Sequence, residues 1–233
     1  MANSTSIKND FEAMLKVLEG IGSLDVQNLS QAVGYMDTYG QDVVVYAFTL
    51  TFWQITPPDN TLPPVSNMDI RLEMKVKENL NNTYEPFDSD YAMQLYLSGI
   101  KGGQQYMCSW HLDLDTTTDH RYIHPRFHLT YGGKKMRDKL KDDNSVFGQL
   151  LLPVTPRIPC APMDGVLAID FILNHFYKKD DIGDVLSNSQ YRKAVKASQI
   201  RIWKPYYESL HRFFVSNEQA GLGIKYMPSL IID

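Results

Sequence analysis

Four of the six histidines in this 233-residue chain, His111, His120, His124 and His128, crowd into one stretch together with Asp113, Asp115, Asp119 and Arg126. These residue types suit three kinds of chemistry. An imidazole held by a carboxylate keeps one tautomer and can take or give a proton near neutral pH. A guanidinium offers a planar fork to a phosphate or carboxylate. Two imidazoles and a carboxylate can hold a divalent transition metal. Which of these applies depends on which way the side chains point.

The flanking apolar rows set that direction. Tyr106, Cys108, Trp110, Leu112 and Leu114 alternate, as do Phe127, Leu129 and Tyr131. Each set marks one face of a strand, because successive strand side chains point to opposite sides. With these rows facing the core, His111, Asp113 and Asp115 face away, and so do Arg126, His128 and Thr130. If the two strands pair through the 116–125 loop, the simplest register sets His128 opposite Asp113, Arg126 opposite Asp115 and His111 opposite Thr130. His111, Asp113, Arg126 and His128 are therefore the candidate catalytic or ligand-binding residues. His120 and His124, in the loop, are expected to be exposed.

Other segments supply the support. Ile7, Phe11, Met14, Leu15 and Leu18 recur at helical steps, and Gly20 and Gly22 can end that helix. A second, weaker helix is expected over Val26 to Met36. Val43 to Ile55 is β-branched and aromatic on both faces, which predicts a central, doubly covered strand. Prolines break the stretch TPPDNTLPPVSN. Ile70, Leu72, Met74 and Val76 alternate with Arg71, Glu73 and Lys75, predicting a half-buried strand over Asp69 to Lys77. Asn79 to Asp90 reads as a polar loop, and Tyr91 to Leu97 as a further strand. Asp164 suits the N-cap of a helix of about fourteen residues. A final helical region begins near Ser189, where Pro205 must kink or restart it. The last residues, SNEQAGLGIKYMPSLIID, are expected to dock as an extended strand.

These elements predict a single α+β domain. Its mostly antiparallel sheet of about five strands forms a meander, packed on one face by N- and C-terminal helices. The expected divisions are N-terminal helices over 1–40, the sheet over 41–133, a basic and Pro-rich connection over 134–163, and C-terminal helices and tail over 164–233.

Composition narrows the functional classes. A net charge of −4 argues against a generally basic nucleic-acid coat, and aspartates interrupt the one basic run, KKMRDKLK. No apolar run reaches the roughly 18 residues of a membrane helix, and the N-terminus lacks a secretory pattern. Two cysteines, Cys108 and Cys160, form no CxxC motif, so a reducing, cytoplasmic setting is expected. No zinc or calcium spacing is complete, so no metal or other cofactor is expected. Membrane and nucleic-acid partners are not expected.

Weaker candidates have plainer readings. Gly132-Gly133-Lys134-Lys135 could hold a phosphate, but a strand-ending turn explains it. Cys160 could act as a nucleophile only if a histidine approached it. Trp203, Tyr206, Tyr207, Phe213 and Phe214 suit packing on the sheet, or else a partner groove. The HLDL and HLTY segments resemble the H-x-T/S motifs of 2H-type phosphoesterases over two short patches. Asp113 stands where Thr or Ser is expected, and the motifs lie 17 positions apart rather than in two repeats, so the chain is not assigned to that family. Two functions follow as expectations. One is a non-catalytic cytoplasmic interaction or scaffold protein with a protein partner. The alternative is a phosphate-directed hydrolase or nucleotide-binding protein, acting on a phosphate-containing small molecule through the His/Asp/Arg cluster.

Overall fold

The chain is seen in a computed structural model, which describes residues 4–21, 24–34, 36–39, 42–82, 85–116, 124–133, 136, 138 and 157–216. Among these, four long antiparallel strands dominate: β3 (Val43–Ile55), β4 (Met68–Asn79), β5 (Ala92–Lys101) and β6 (Gln104–Leu114). The shorter β7 (Phe127–Tyr131) follows β6. Two-residue strands β1 (Leu24–Asp25) and β8 (Ile158–Pro159) cap the ends, and β2 (Asp37–Tyr39) also pairs with β3. The order β1-β3-β4-β5-β6-β7-β8 is a meander, as alternating strands joined by turns require.

The helices lie on one face of the sheet. α1 (Ser4–Leu18) buries Ile7, Phe11, Met14, Leu15 and Leu18, the same residues that carry its helical period. α2 (Gln27–Gly34) packs beside it and against β3. Asp164 caps α3 (Gly165–Phe176), its side chain accepting from the Leu167 N–H at 2.8 Å. The short α4 (Gly183–Ser187) leads to α5 (Ser189–Ser198), whose N-cap Asn188 accepts from the Gln190 and Tyr191 N–H groups. Helices α1, α3 and α5 contact one another over the inner row of the sheet, Val44, Tyr46, Phe48, Leu50, Ile70, Leu72, Met74, Met93, Leu95 and Leu112. Gly165 is required at the start of α3. A Cβ there would lie 2.6 Å from the Phe11 ring and 2.8 Å from that of Phe48.

Two expectations need correction, and a third is met in a specific form. β3 is covered on one face only. Its outer row includes exposed Ala47 and a half-exposed Trp53, and only the short β1 and β2 pair with its far edge. β-branched residues there serve a pleated strand, not a second core. Asn79–Asp90 is less polar in its role than in its composition, because Phe87 is buried, pairs with Glu78 and stacks on Tyr91. Pro205 is met by a restart of the last helix, as expected. A π-helical turn, Gln199–Trp203, joins α5 to α6 (Lys204–Ser216) and absorbs the missing proline N–H. The basic run beyond Gly133 lies outside the described residues except for Met136 and Asp138, and so does the tail after Ser216. No described helix is long and apolar enough to cross a membrane.

Candidate functional site

β6 and β7 pair in the register that their alternation implies. His111 stands opposite Thr130 and Asp113 opposite His128, and the ladder continues with the Asp115 N–H donating to the Arg126 carbonyl at 2.8 Å. His111, Asp113, Arg126 and His128 are thus brought to one face of the hairpin, away from Leu112 and Phe127, which are buried in the core. Trp110 and Leu129 pack against that core but stay partly exposed, because the sheet thins towards β8 at this edge.

The side-chain partners differ from the cross-strand pairs. Asp113 Oδ2 lies 3.0 Å from His111 Nε2, two residues back on the same strand. Gly133, at φ +100°, closes over the other side of that ring, and a Cβ there would sit 2.9 Å from His111 Nδ1. The turn is pinned by Ser109, whose hydroxyl donates to the Gly132 carbonyl at 2.5 Å. The Gly132-Gly133 pair is therefore a strand-ending turn with the positive φ that glycine allows. Lys134 and Lys135 lie outside the described residues.

His128 is turned inward and is only 3% exposed. Its Nδ1 lies 3.0 Å from the Pro125 carbonyl, and its Nε2 lies 3.2 Å from His124 Nε2. His124 Nδ1 in turn lies 3.1 Å from Asp115 Oδ2, at ion-pair distance but off the axis of a good hydrogen bond. Burial pushes the His128 pKa down. The Pro125 carbonyl and Asp113 oppose that shift, Arg157 adds to it, and Asp115 opposes it. His124 is therefore not the exposed loop residue that composition suggests; its side chain is 16% exposed and packs on His128. His120 lies outside the described residues.

Arg126 is also engaged within the hairpin. Nη1 donates to the Asp115 carbonyl at 2.8 Å, and Nη2 lies 3.2 Å from Glu85. Its Nε and the Thr130 hydroxyl are buried and have no hydrogen-bond partner among the described residues. Asp113 is the most open member of the cluster, with a side chain 40% exposed. No three metal-ligating side chains meet among the described residues.

A second polar centre lies in the core itself. Glu78 is the next inward residue after Ile70, Leu72, Met74 and Val76 on β4, and it is fully buried. Arg201, on the π-helical turn, donates from Nε to Glu78 Oε1 at 2.7 Å and from Nη2 to Asp164 Oδ2. The Ser198 hydroxyl donates to the same Asp164 oxygen at 2.5 Å, and Asp10 stands 4.0 Å from Arg201 Nη1. One guanidinium thus faces three carboxylates. Burial first, partly offset by Arg201 and reinforced by Asp164, pushes the Glu78 pKa up to about 7. Burial likewise raises that of Asp10. The period of β4 carries the signal for Glu78, because the inward row runs on without interruption to a carboxylate.

The remaining candidates separate cleanly. Cys160 is partly buried, and burial pushes its thiol pKa up, away from a reactive thiolate. Trp203 donates to the Pro162 carbonyl at 2.9 Å and Tyr206 is buried, so this part of the aromatic cluster packs inward; Tyr207 and Phe214 are exposed. The chain matches no protein-family model, and comparison with curated proteins and with solved structures likewise gives no match.

Proposed function

We propose that this chain is a non-catalytic interaction or scaffold protein that binds a protein partner in the cytoplasm. The observation that supports this reading is the inward direction of the hairpin chemistry. The ring nitrogens of His128 meet Pro125 and His124, and the Arg126 Nη groups meet Asp115 and Glu85. A general base must reach the proton it removes, and a clamp needs donors aimed at its anion. Here those groups tie His124, Pro125 and Asp115 to the β6–β7 hairpin.

One observation favours the alternative, a phosphate-directed hydrolase or nucleotide-binding protein. The His111–Asp113 pair keeps an accessible carboxylate beside an oriented imidazole. A thermal-shift and turnover screen with nucleotides and phosphoesters separates the two readings. The interaction reading expects no ligand whose effect disappears in both His111→Ala and Arg126→Ala. A ligand that stabilises the protein, is turned over, and loses both effects in those variants would overturn it. On the positive side, a partner cross-linked from cell extract should reconstitute a defined complex from purified components.

A further inference from the structure

We propose that the exposed face of the C-terminal helical rod, carrying Lys193, Lys196, Ile200, Lys204 and Tyr207, is the docking surface for an acidic amphipathic helix of a protein partner. This gives the interaction reading a surface and a partner chemistry, and it rests on that reading.

Charge is unevenly placed along the chain. The net charge is −4, yet Ser189 to Ser216 holds six basic side chains and one acidic. Of the six, Arg201 is engaged inside with Glu78 and Asp164. Arg192, Lys193, Lys196 and Lys204 are exposed. Lys204 meets Glu208 at 3.8 Å on an open surface, a contact that contributes little. Lys193 acts on Asp10 only at longer range, and Arg192 and Lys196 form no ion pair among the described residues. Like charges one turn apart on a helix repel, so an anionic neighbour stabilises this face.

The π-helical turn lines these residues up. Four-residue steps along an α-helix drift by about 40° each, because 3.6 residues close a turn. The wider winding of Gln199–Trp203 takes up that drift, so Ile200 and Lys204 stay in line with Lys196. Trp203 is carried inward instead and donates to the Pro162 carbonyl at 2.9 Å. The opposite side of the rod, with Ala194, Val195, Ile202 and Tyr206, is buried in the core.

Ile200 and Tyr207 decide the kind of anion. Each is 55% exposed, and they stand two turns apart among the cations. A bilayer takes up an amphipathic helix by its broad apolar face, and here that face is turned to the core. A phosphate backbone matches the lysines alone, and the acidic remainder of the chain repels it. A partner helix with apolar residues at heptad spacing and Glu or Asp beside them matches both the lysines and the two apolar side chains.

The test is fluorescence anisotropy of a labelled three-heptad peptide, with Leu at a and d and Glu at e and g, titrated with full-length protein at about 0.15 M ionic strength. The expected result is saturable binding that weakens as salt is raised. Lys196→Glu/Lys204→Glu should weaken it at least about 10-fold, and Ile200→Ala about 10-fold, the loss typical of an interface anchor. Lys178→Glu/Lys179→Glu makes the same charge change at exposed positions after α3 and should leave binding within about 2-fold. Equal weakening by the two double variants would reduce the effect to net charge and overturn the proposal. No saturable binding by the wild type, or tighter binding of an oligonucleotide or of phosphatidylserine vesicles through the same residues, would also overturn it. A partner complex reconstituted from purified components that forms equally well with Lys196→Glu/Lys204→Glu would sink this surface and leave the interaction reading standing. No such complex with the wild type would remove the interaction reading itself, and this surface with it.

Discussion

Arg201 Nε donates to Glu78 Oε1 at 2.7 Å, joining the π-helical turn to the inner end of β4 across 123 residues of sequence. The same guanidinium reaches Asp164, which caps α3. Three separate elements therefore meet at one charge inside an apolar core. Such a cluster adds little net stability over a well-packed apolar replacement, but removing one member leaves the others charged and buried.

Arg201→Ala should accordingly destabilise the protein by about 3–5 kcal/mol, because it strands Glu78 and Asp164. Urea denaturation followed by circular dichroism measures this. A loss below about 1 kcal/mol would mean that the carboxylates find solvent without their arginine.

Glu78 should make stability fall as the pH rises. Its ordinary pKa of 4.5 is raised to about 7 by burial, so the folded protein holds the proton more tightly than the unfolded chain does. That contribution is complete below about pH 4.5 and is lost as the pH climbs through about 7, by roughly 3 kcal/mol at most. Asp10, also raised by burial, works in the same direction. Glu78→Gln keeps the shape and removes the titration, so denaturation midpoints measured from pH 5 to 8 should flatten. An unchanged slope in the variant would assign the pH dependence to other groups.

Gly165→Ala should cost about 1–3 kcal/mol, because the added methyl meets the rings of Phe11 and Phe48 and those rings have little room to yield. Gly183→Ala, where a Cβ meets nothing within 4 Å and the φ is ordinary, should be neutral or slightly stabilising. The two melting temperatures, compared with wild type, test whether α3 docks as closely as the structure shows.

Phe127→Ala should cost about 3–5 kcal/mol, since Phe127 is fully buried against Phe87 and Tyr91. Leu129→Ala, two residues along the same row but partly exposed, should cost less. Equal losses in urea titrations would mean that the outer edge near β8 is as well packed as the centre.

The sequence by itself determined most of the helices and strands and the inward rows of β4 and β5. Alternation at Ile70–Val76, Met93–Leu97 and Trp110–Leu114 names the buried row of each strand. The two short apolar rows around the loop imply the pairing of Asp113 with His128 that the structure has. Such patterns are local: a period of two or 3.6 residues needs no knowledge of distant chain. Tertiary structure decided what the polar groups do. The strand period places Asp113 opposite His128, yet the side-chain contacts give Asp113 to His111 and His128 to His124. The inward period of β4 reaches Glu78, but nothing near it in sequence supplies the arginine. Only the docking of the C-terminal helices on the sheet brings Arg201 to it, and the π-helical turn before Pro205 sets the rotation that aims the guanidinium inward. Apolar burial is non-directional and can be read from pattern, whereas hydrogen bonds and ion pairs depend on separations of a few tenths of an ångström that only the packed structure sets.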